Sequence, residues 1–202
     1  MNFQEKKNLY KVRQTVLEMI SDRGYVIPLH MLAITFEQFS IQYDQKNIDL
    51  YIENEDKQKK YYVYFHIDKA FGKNDMKSVV QKIINQYNDD NMGIIILLKD
   101  KESTSILKEK SKPLYKNVEF FEQQKMTFNI SKHVFQPKFI ILNNDTEKNE
   151  VLEKYQTTVN KLPKIYTTDP MAKYYDMKKG DIIKVIRNDP EVGLSIAYKL
   201  VV

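Results

Sequence analysis

The sequence predicts an α+β protein of two domains: an N-terminal α/β domain with a small helix-covered sheet and a small β-rich C-terminal domain. Three observations support this class. Apolar side chains before about residue 130 alternate between strand and helix periods. Short strands and turns dominate after that point. The length of 202 residues, with 42% hydrophobic residues, allows two modest cores.

The N-terminal part begins with helical periodicity. Apolar side chains recur at helical spacing over residues 5–23, and Gly24 follows as a natural stop, so we expect an amphipathic helix there. Thr35 has the residue type of an N-cap, with Phe36 and Phe39 behind it, so a second short helix is expected.

Four strands and two more helices complete the predicted N-terminal domain. Strands are expected over 48–52, 61–67, 94–98 and 118–121, and helices over 74–87 and 103–110. The run Ile94–Leu98 is continuously apolar, which is typical of a strand buried on both faces. The order strand–strand–helix–strand–helix–strand predicts a small sheet covered by helices.

A change of pattern near Phe128 places the predicted boundary at residue 130, which gives domains of residues 1–130 and 131–202. Short strands are then expected around Val134 and Phe135 and over residues 139–142. Asp145–Thr146 can cap a helix that runs to Tyr155.

The last forty residues predict a hairpin preceded by a short capped helix. Pro163 holds its segment extended, and Asp169–Pro170 combines a capping carboxylate with a proline at the first helical position. Gly180 is expected to end the segment that contains this short helix. Strands over 181–187 and 194–202 are joined by a turn over 188–193.

Composition limits the function. The chain has no cysteine, which excludes disulfides, thiolate catalysis and zinc ribbons. Its net charge is +5, a mild lysine-dominated excess. Lysine can attract phosphate, but an excess this small is better explained by a solvated basic surface than by nucleic-acid binding. The start lacks the apolar core of a signal peptide, and Ile94–Leu98 is too short to cross a membrane, so we expect a soluble intracellular protein.

One group of residues could carry chemistry. Asp49, Glu53, Glu55 and Lys57 offer carboxylates and a lysine near a strand, as a metal-dependent nuclease needs. Residues 53–60 also have the composition of an exposed charged turn, which argues for a solvated surface instead.

No cofactor, metal or small-molecule substrate is expected. His30, His66 and His133 are far apart and lack the spacing of metal ligands, so each is interpreted as a hydrogen-bonded structural residue. Ser103 and its two neighbours lack a base partner in any known motif and are interpreted as helix-capping residues.

The C-terminal pattern resembles that of a known family. Five stretches carry the resemblance: Leu162-Pro163-Lys164-Ile165, Asp169-Pro170-Met171-Ala172-Lys173-Tyr174, Lys178-Lys179-Gly180, the strand Ile182–Arg187 and Tyr198-Lys199-Leu200-Val201. They are similar to the signature shared by the common subunit five of eukaryotic RNA polymerases and its archaeal counterpart. Phe128–His133 and Asp22–Tyr25 resemble further family landmarks. The resemblance covers nearly the whole chain and is strongest in the last forty residues.

Some positions depart from the family pattern. Glycine is usual in the family where Asp176 stands, so a differently shaped turn is expected there. Lys138 follows Pro137 where the family has a histidine, and the loop over 189–193 differs. Such departures fit a divergent lineage, for example a large DNA virus that encodes its own polymerase.

The resemblance implies a non-catalytic subunit of a multisubunit DNA-directed RNA polymerase. Residues 1–130 would form a jaw domain near downstream DNA, touching it weakly and without sequence preference, and transcription factors are further potential partners. Residues 131–202 would form an assembly domain that docks on the largest subunit. The interface residues implied by the signature are Leu162, Pro163, Ile165, Asp169, Pro170, Ala172, Tyr174, Gly180, Lys184, Arg187 and Tyr198.

The resemblance also bears on localisation and leaves two alternatives. A cellular member of this family would be nuclear, whereas a viral one would be found in the host cytoplasm and the virion. No membrane partner is expected. The alternatives that remain open are a stand-alone DNA-binding transcription factor and the metal-dependent nuclease.

Overall fold

The computed structural model describes residues 3–53, 60–68, 70–189, 191 and 193–202. The chain divides into two compact units, Met1–Phe128 and Asn129–Val202. This division lies two residues before the boundary expected at residue 130. Each unit has its own four-stranded sheet.

Three helices open the N-terminal unit: α1 (Phe3–Asp22), α2 (Leu29–Leu32) and α3 (Phe36–Asp44). The buried stripe of α1 contains the apolar side chains that predicted it. Thr35 and Gln38 form a capping box at the start of α3, since each side chain accepts a hydrogen bond from the other's backbone N–H. The pattern missed α2 because four residues are too few to show a helical period.

The N-terminal sheet has the order β1 (Leu50–Ile52), β2 (Tyr61–Phe65), β3 (Gly93–Leu98), β4 (Val118–Glu122). β1 is antiparallel to β2, whereas β2, β3 and β4 are parallel. Parallel neighbours need crossover helices, and α4 (Lys73–Tyr87) and α5 (Thr104–Lys110) supply them. The predicted order of elements is therefore confirmed, although β2 ends at Phe65 rather than at residue 67.

β3 lies at the centre of this sheet and is buried at all six residues. Ile94, Ile96 and Leu98 pack with the buried face of α4 and with Ile106 of α5. Ile95 and Leu97 point to the opposite face because side chains alternate along a strand, and both are fully buried. The continuous apolar run thus matches a strand covered on both sides.

The C-terminal sheet has the order β5 (Lys138–Leu142), β7 (Ile182–Asp189), β8 (Gly193–Val201), β6 (Lys164–Ile165). β7 and β8 form the predicted hairpin. α6 (Asp145–Lys154) supplies Val151 and Leu152 to one face of the sheet, and α7 (Pro170–Tyr174) supplies Ala172 to the other. The chain also has 3₁₀ turns at Pro113–Tyr115, Gln123–Met126, Ile130–Lys132 and Val159–Lys161.

Two local expectations are wrong. Val134 and Phe135 lie in a turn and not in a strand, since two apolar residues before a proline have no ladder to join. The N-cap of α6 is Asn144, whose side chain accepts a hydrogen bond from the Thr146 N–H, rather than Asp145–Thr146. Pro190, in the expected hairpin turn, lies outside the described residues. No helix of the described ranges is long and apolar enough to span a bilayer.

Candidate subunit interface

Four of the eleven signature residues belong to the core of the C-terminal unit. Ile165 and Ala172 are buried together with Val185 and Val201 on one face of the sheet. Leu162 is buried on the other face. The side chain of Tyr174 is buried as well, and its hydroxyl accepts a hydrogen bond of 2.9 Å from the Asn129 amide. The apolar character of these four positions is therefore explained by folding alone.

Three more signature residues set the local backbone. The Asp169 carboxylate accepts a hydrogen bond of 2.8 Å from the Met171 N–H, and Pro170 occupies the first turn of α7. Gly180 has φ +97°, a left-handed conformation that favours glycine, and its N–H donates to the Val201 carbonyl. Asp169 and Pro170 thus begin the short helix, and Gly180 leads into β7, as the sequence predicts.

The remaining signature side chains are accessible. Lys184 and Tyr198 are opposite each other in the β7–β8 pair and lie on the same face. Tyr198 is half-buried and its ring packs 5.6 Å from that of Tyr155. Pro163 and Arg187 are exposed. These four residues can meet a partner directly, whereas the buried ones cannot.

Exposed apolar residues in two segments of the C-terminal unit were missed by the sequence reasoning. Val134 and Phe135 are 93% and 89% exposed, and Leu194 and Ile196 are 67% and 42% exposed. The loop with Val134 and Phe135 leads into β5, whose first residue, Lys138, pairs with Ile186 of β7. Ile186 pairs in turn with Ile196 of β8. Alternation of apolar and polar residues along β8 predicts that the face with Leu194 and Ile196 is buried. The sequence could therefore not show that this face is uncovered near the hairpin end.

The two described carboxylates of the candidate nuclease group, those of Asp49 and Glu53, are held by different partners. One Asp49 oxygen accepts from the Phe65 N–H at 2.9 Å and the other from the Tyr62 hydroxyl at 3.0 Å. Burial raises the pKa of Asp49 above its usual value. Glu53 is bound by the Lys60 ammonium at 2.7 Å and the Tyr51 hydroxyl at 2.7 Å. Glu55 and Lys57 lie outside the described residues, and the described ones contain no cluster of three metal-ligating acids, histidines or cysteines.

The histidines have separate structural surroundings. His66 is buried, and its Nε2 is 3.0 Å from the Ala70 carbonyl. His133 accepts a hydrogen bond from the Phe135 N–H within an exposed turn. His30 is exposed on the short helix α2.

A lysine surface lies on α4, α5 and the segment after them in the N-terminal unit. The Glu109 carboxylate is nearly buried and is contacted by Lys112 at 2.8 Å, Lys73 at 3.0 Å and Lys77 at 3.4 Å. The hydrogen bond from Lys112 is the largest cause that lowers the pKa of Glu109, to about 2. Three cations around one anion leave this surface net positive, and Lys108 and Lys116 add to it.

The described residues thus form two units, one with exposed apolar residues beside its sheet and one with a lysine surface. Comparison with known proteins agrees. Residues 4–83 match the family model for RNA polymerase Rpb5, N-terminal domain, and residues 128–201 match that for RNA polymerase Rpb5, C-terminal domain.

Relatives match over nearly the full length. DNA-directed RNA polymerases I, II, and III subunit RPABC1 of Caenorhabditis elegans is 29% identical, over 98% of this chain and 97% of the relative. The subunit rpabc1 of Dictyostelium discoideum is 30% identical, over 96% and 97%. DNA-directed RNA polymerases IV and V subunit 5B of Arabidopsis thaliana is 29% identical, over 95% and 88%. The chain belongs to the Rpb5 family of RNA polymerase subunits, which are non-catalytic components of the enzyme.

Proposed function

We propose that this chain assembles into a DNA-directed RNA polymerase, with its C-terminal unit docked on the largest subunit and its N-terminal unit beside the downstream DNA. The observation that carries the proposal is that both units match the corresponding domains of one polymerase subunit. The eukaryotic relatives imply a nuclear location. A viral polymerase would instead place the chain in the host cytoplasm and the virion.

The accessible apolar residues support docking through the C-terminal unit. A subunit that is held permanently needs an apolar contact surface. Leu194 and Ile196 supply exposed apolar area on the face that carries the signature residues Lys184 and Tyr198, and Val134 and Phe135 are exposed in the loop before β5. The signature residues in the core act indirectly, because they fix the sheet that carries this surface.

The lysine surface supports weak DNA contact by the N-terminal unit. Lysine attracts phosphate without reading bases, and weak contacts allow the DNA to move during translocation. Transcription factors are further candidate partners of this unit.

Affinity purification of the tagged full-length chain tests the assembly directly. We expect stoichiometric recovery with both large polymerase subunits and template-dependent RNA synthesis by the purified material. Recovery of the chain alone, with tight binding to duplex DNA, would instead indicate a stand-alone DNA-binding factor. Metal-dependent cleavage of DNA by the lone chain would overturn the non-catalytic role.

The DNA contact has its own test. Replacing Lys108 and Lys116 with glutamine should weaken binding of the assembled polymerase to a downstream duplex equally for all sequences. Each lost phosphate contact should reduce the slope of log affinity against log salt by about 0.9. The double substitution of Lys148 and Lys154 by glutamine on α6 is the control, and an equal loss in both variants would refute the proposed location.

A further inference from the structure

The outer edge of β8 is only partly covered. β6 pairs with β8 at Leu200 and Val201 and no further. Within residues 129–189 and 193–202, no strand lies against the edge from Gly193 to Lys199. A long strand edge of this kind offers unpaired backbone groups to another chain.

The backbone direction along this edge follows from the hydrogen bonds at its covered end. The Leu200 N–H donates outward to Pro163 and the Val202 N–H to Ile165, whereas the Val201 N–H donates to Asp181 at the β7 side. The β7–β8 register is continuous down to the Asp189–Gly193 pair. Even-numbered residues of β8 therefore direct their N–H groups outward, and these include Leu194 and Ile196.

The side chains of the same two residues extend an apolar face. Leu142, Ile182 and Leu200 form the covered end of this face, under α6. Beyond α6 the face continues through Ile186, which is directly opposite Ile196. Ile140 of β5 lies on this face too, at 37% exposure. Unpaired backbone N–H groups and exposed apolar side chains therefore lie together at the outer edge of β8.

The charged side chains that the strands themselves present on this face are lysines. Lys138 and Lys184 lie among its apolar residues, as the register shows. The same face of β5, β7 and β8 carries no aspartate or glutamate at any described position from 138 to 142, 182 to 188 and 194 to 200. An extended segment with acidic and apolar side chains would therefore match both the charge and the apolar surface.

We propose that such a segment, contributed by the largest polymerase subunit, adds as a strand along the β8 edge from Gly193 to Tyr198 and continues the line of β6. This inference rests on the proposed docking and names its geometry. Main-chain hydrogen bonds would provide affinity, and alternate side chains of the added segment would lie beside Leu194, Ile196 and Tyr198. Long acidic side chains could reach across Tyr198 towards Lys184, which is opposite it on β7.

Residue-resolved amide exchange tests the strand addition. The labelled full-length chain is exchanged alone and in complex with the co-expressed largest subunit, then quenched and examined by NMR. The amides of Leu194 and Ile196 should exchange at least tenfold more slowly in the complex. Those of Ser195 and Ala197 are already paired with β7 and serve as internal controls, with little change expected.

The outcomes separate this inference from the proposed function. Failure of the wild-type chain to bind the largest subunit would overturn both. Stable binding without slower exchange at Leu194 and Ile196 would overturn strand addition and leave docking intact.

A pair of variants adds a second measurement. Ile196→Pro removes an outward N–H without touching the β7 ladder, whereas Ile196→Ala keeps that N–H. We expect the proline variant to bind at least tenfold more weakly than the alanine variant, with retained protection at Val185 showing that the sheet is folded. Equal binding by the two variants would contradict a main-chain contact.

Discussion

At the scale of single residues, the C-terminal signature mainly specifies backbone conformation. Asp176 stands where the resemblance places glycine, and it has φ +53°. This is the left-handed region that glycine favours and that aspartate tolerates better than most residues. The substitution of glycine by aspartate therefore requires no different turn, and the Asp176 carboxylate is paired with Lys178 beside it.

The capping carboxylate of α7 gives a first prediction. Asp169→Ala should lower the free energy of unfolding by about 1 kcal/mol, because the Met171 N–H loses its acceptor. Incorporation into polymerase should weaken as well, since α7 supports the docking sheet. Urea unfolding and co-purification measure the two effects. Asp169→Asn keeps a capping oxygen and is the control. Unchanged stability and unchanged assembly of the alanine variant would refute the role of Asp169 as the N-cap that supports docking.

Glu109 predicts a specific acid dependence. Its pKa in the folded protein is about 2, below the ordinary value of 4.5. The ionised carboxylate therefore stabilises the fold fully above about pH 4.5, and this stabilisation is lost as the pH falls towards 2. Glu109→Gln should lower the free energy of unfolding at pH 7, and the difference from wild type should shrink between pH 4.5 and 2. Glu147→Gln, at an exposed site, is the control, and a difference that does not change with pH would contradict the prediction.

At the scale of elements, sequence periodicity predicted those whose burial has a regular period. The stripe of α1, the apolar run of β3 and the Asp169–Pro170 start of α7 were all predicted because each carries its own local signal. α2 and β6 were not, since four residues and two residues show no period. β6 exists only because Leu200 and Val201 supply a ladder from a distant part of the chain.

The candidate interface was predictable to a smaller extent. The signature marked Leu162 and Tyr174 together with Lys184, although the first two are buried and the third is accessible. Which face of β8 a helix covers depends on where α6 packs, and α6 has few apolar residues in its sequence. The exposed state of Ile196 could therefore not be predicted from its residue type.

The burial of β3 on both faces gives a prediction at this scale. The side chains of Ile95 and Ile96 point to opposite faces of the sheet, and both are fully buried. Ile95→Val and Ile96→Val should therefore each lower the free energy of unfolding by about 1 kcal/mol. Ile41→Val on the exposed side of α3 is the control and should be close to neutral. Chemical denaturation of the three variants measures these costs. A near-neutral effect at either strand position would mean that one face of β3 is open.

At the scale of the whole molecule, two separate cores suggest two separable functions. Each apolar cluster of the C-terminal unit consists of residues from that unit alone. The cluster around α4 and β3 likewise draws only on the N-terminal unit. We therefore expect that the docking role and the DNA-contact role proposed above can be removed independently.

Because the cores are separate, we predict that the C-terminal unit folds and docks alone. We also predict that Asn129 contributes to the stability of that unit. Asn129 donates to the buried Tyr174 hydroxyl at 2.9 Å, and its side-chain oxygen accepts from the Ser131 N–H at 2.9 Å. A fragment of residues 129–202 should fold cooperatively and bind the largest subunit. A fragment of residues 131–202 should be less stable by about 1 kcal/mol, since it lacks these hydrogen bonds. Thermal unfolding and pull-down with the largest subunit measure both properties. If the longer fragment is folded but does not bind, docking needs the N-terminal unit; if the two fragments are equally stable, Asn129 does not belong to the C-terminal fold.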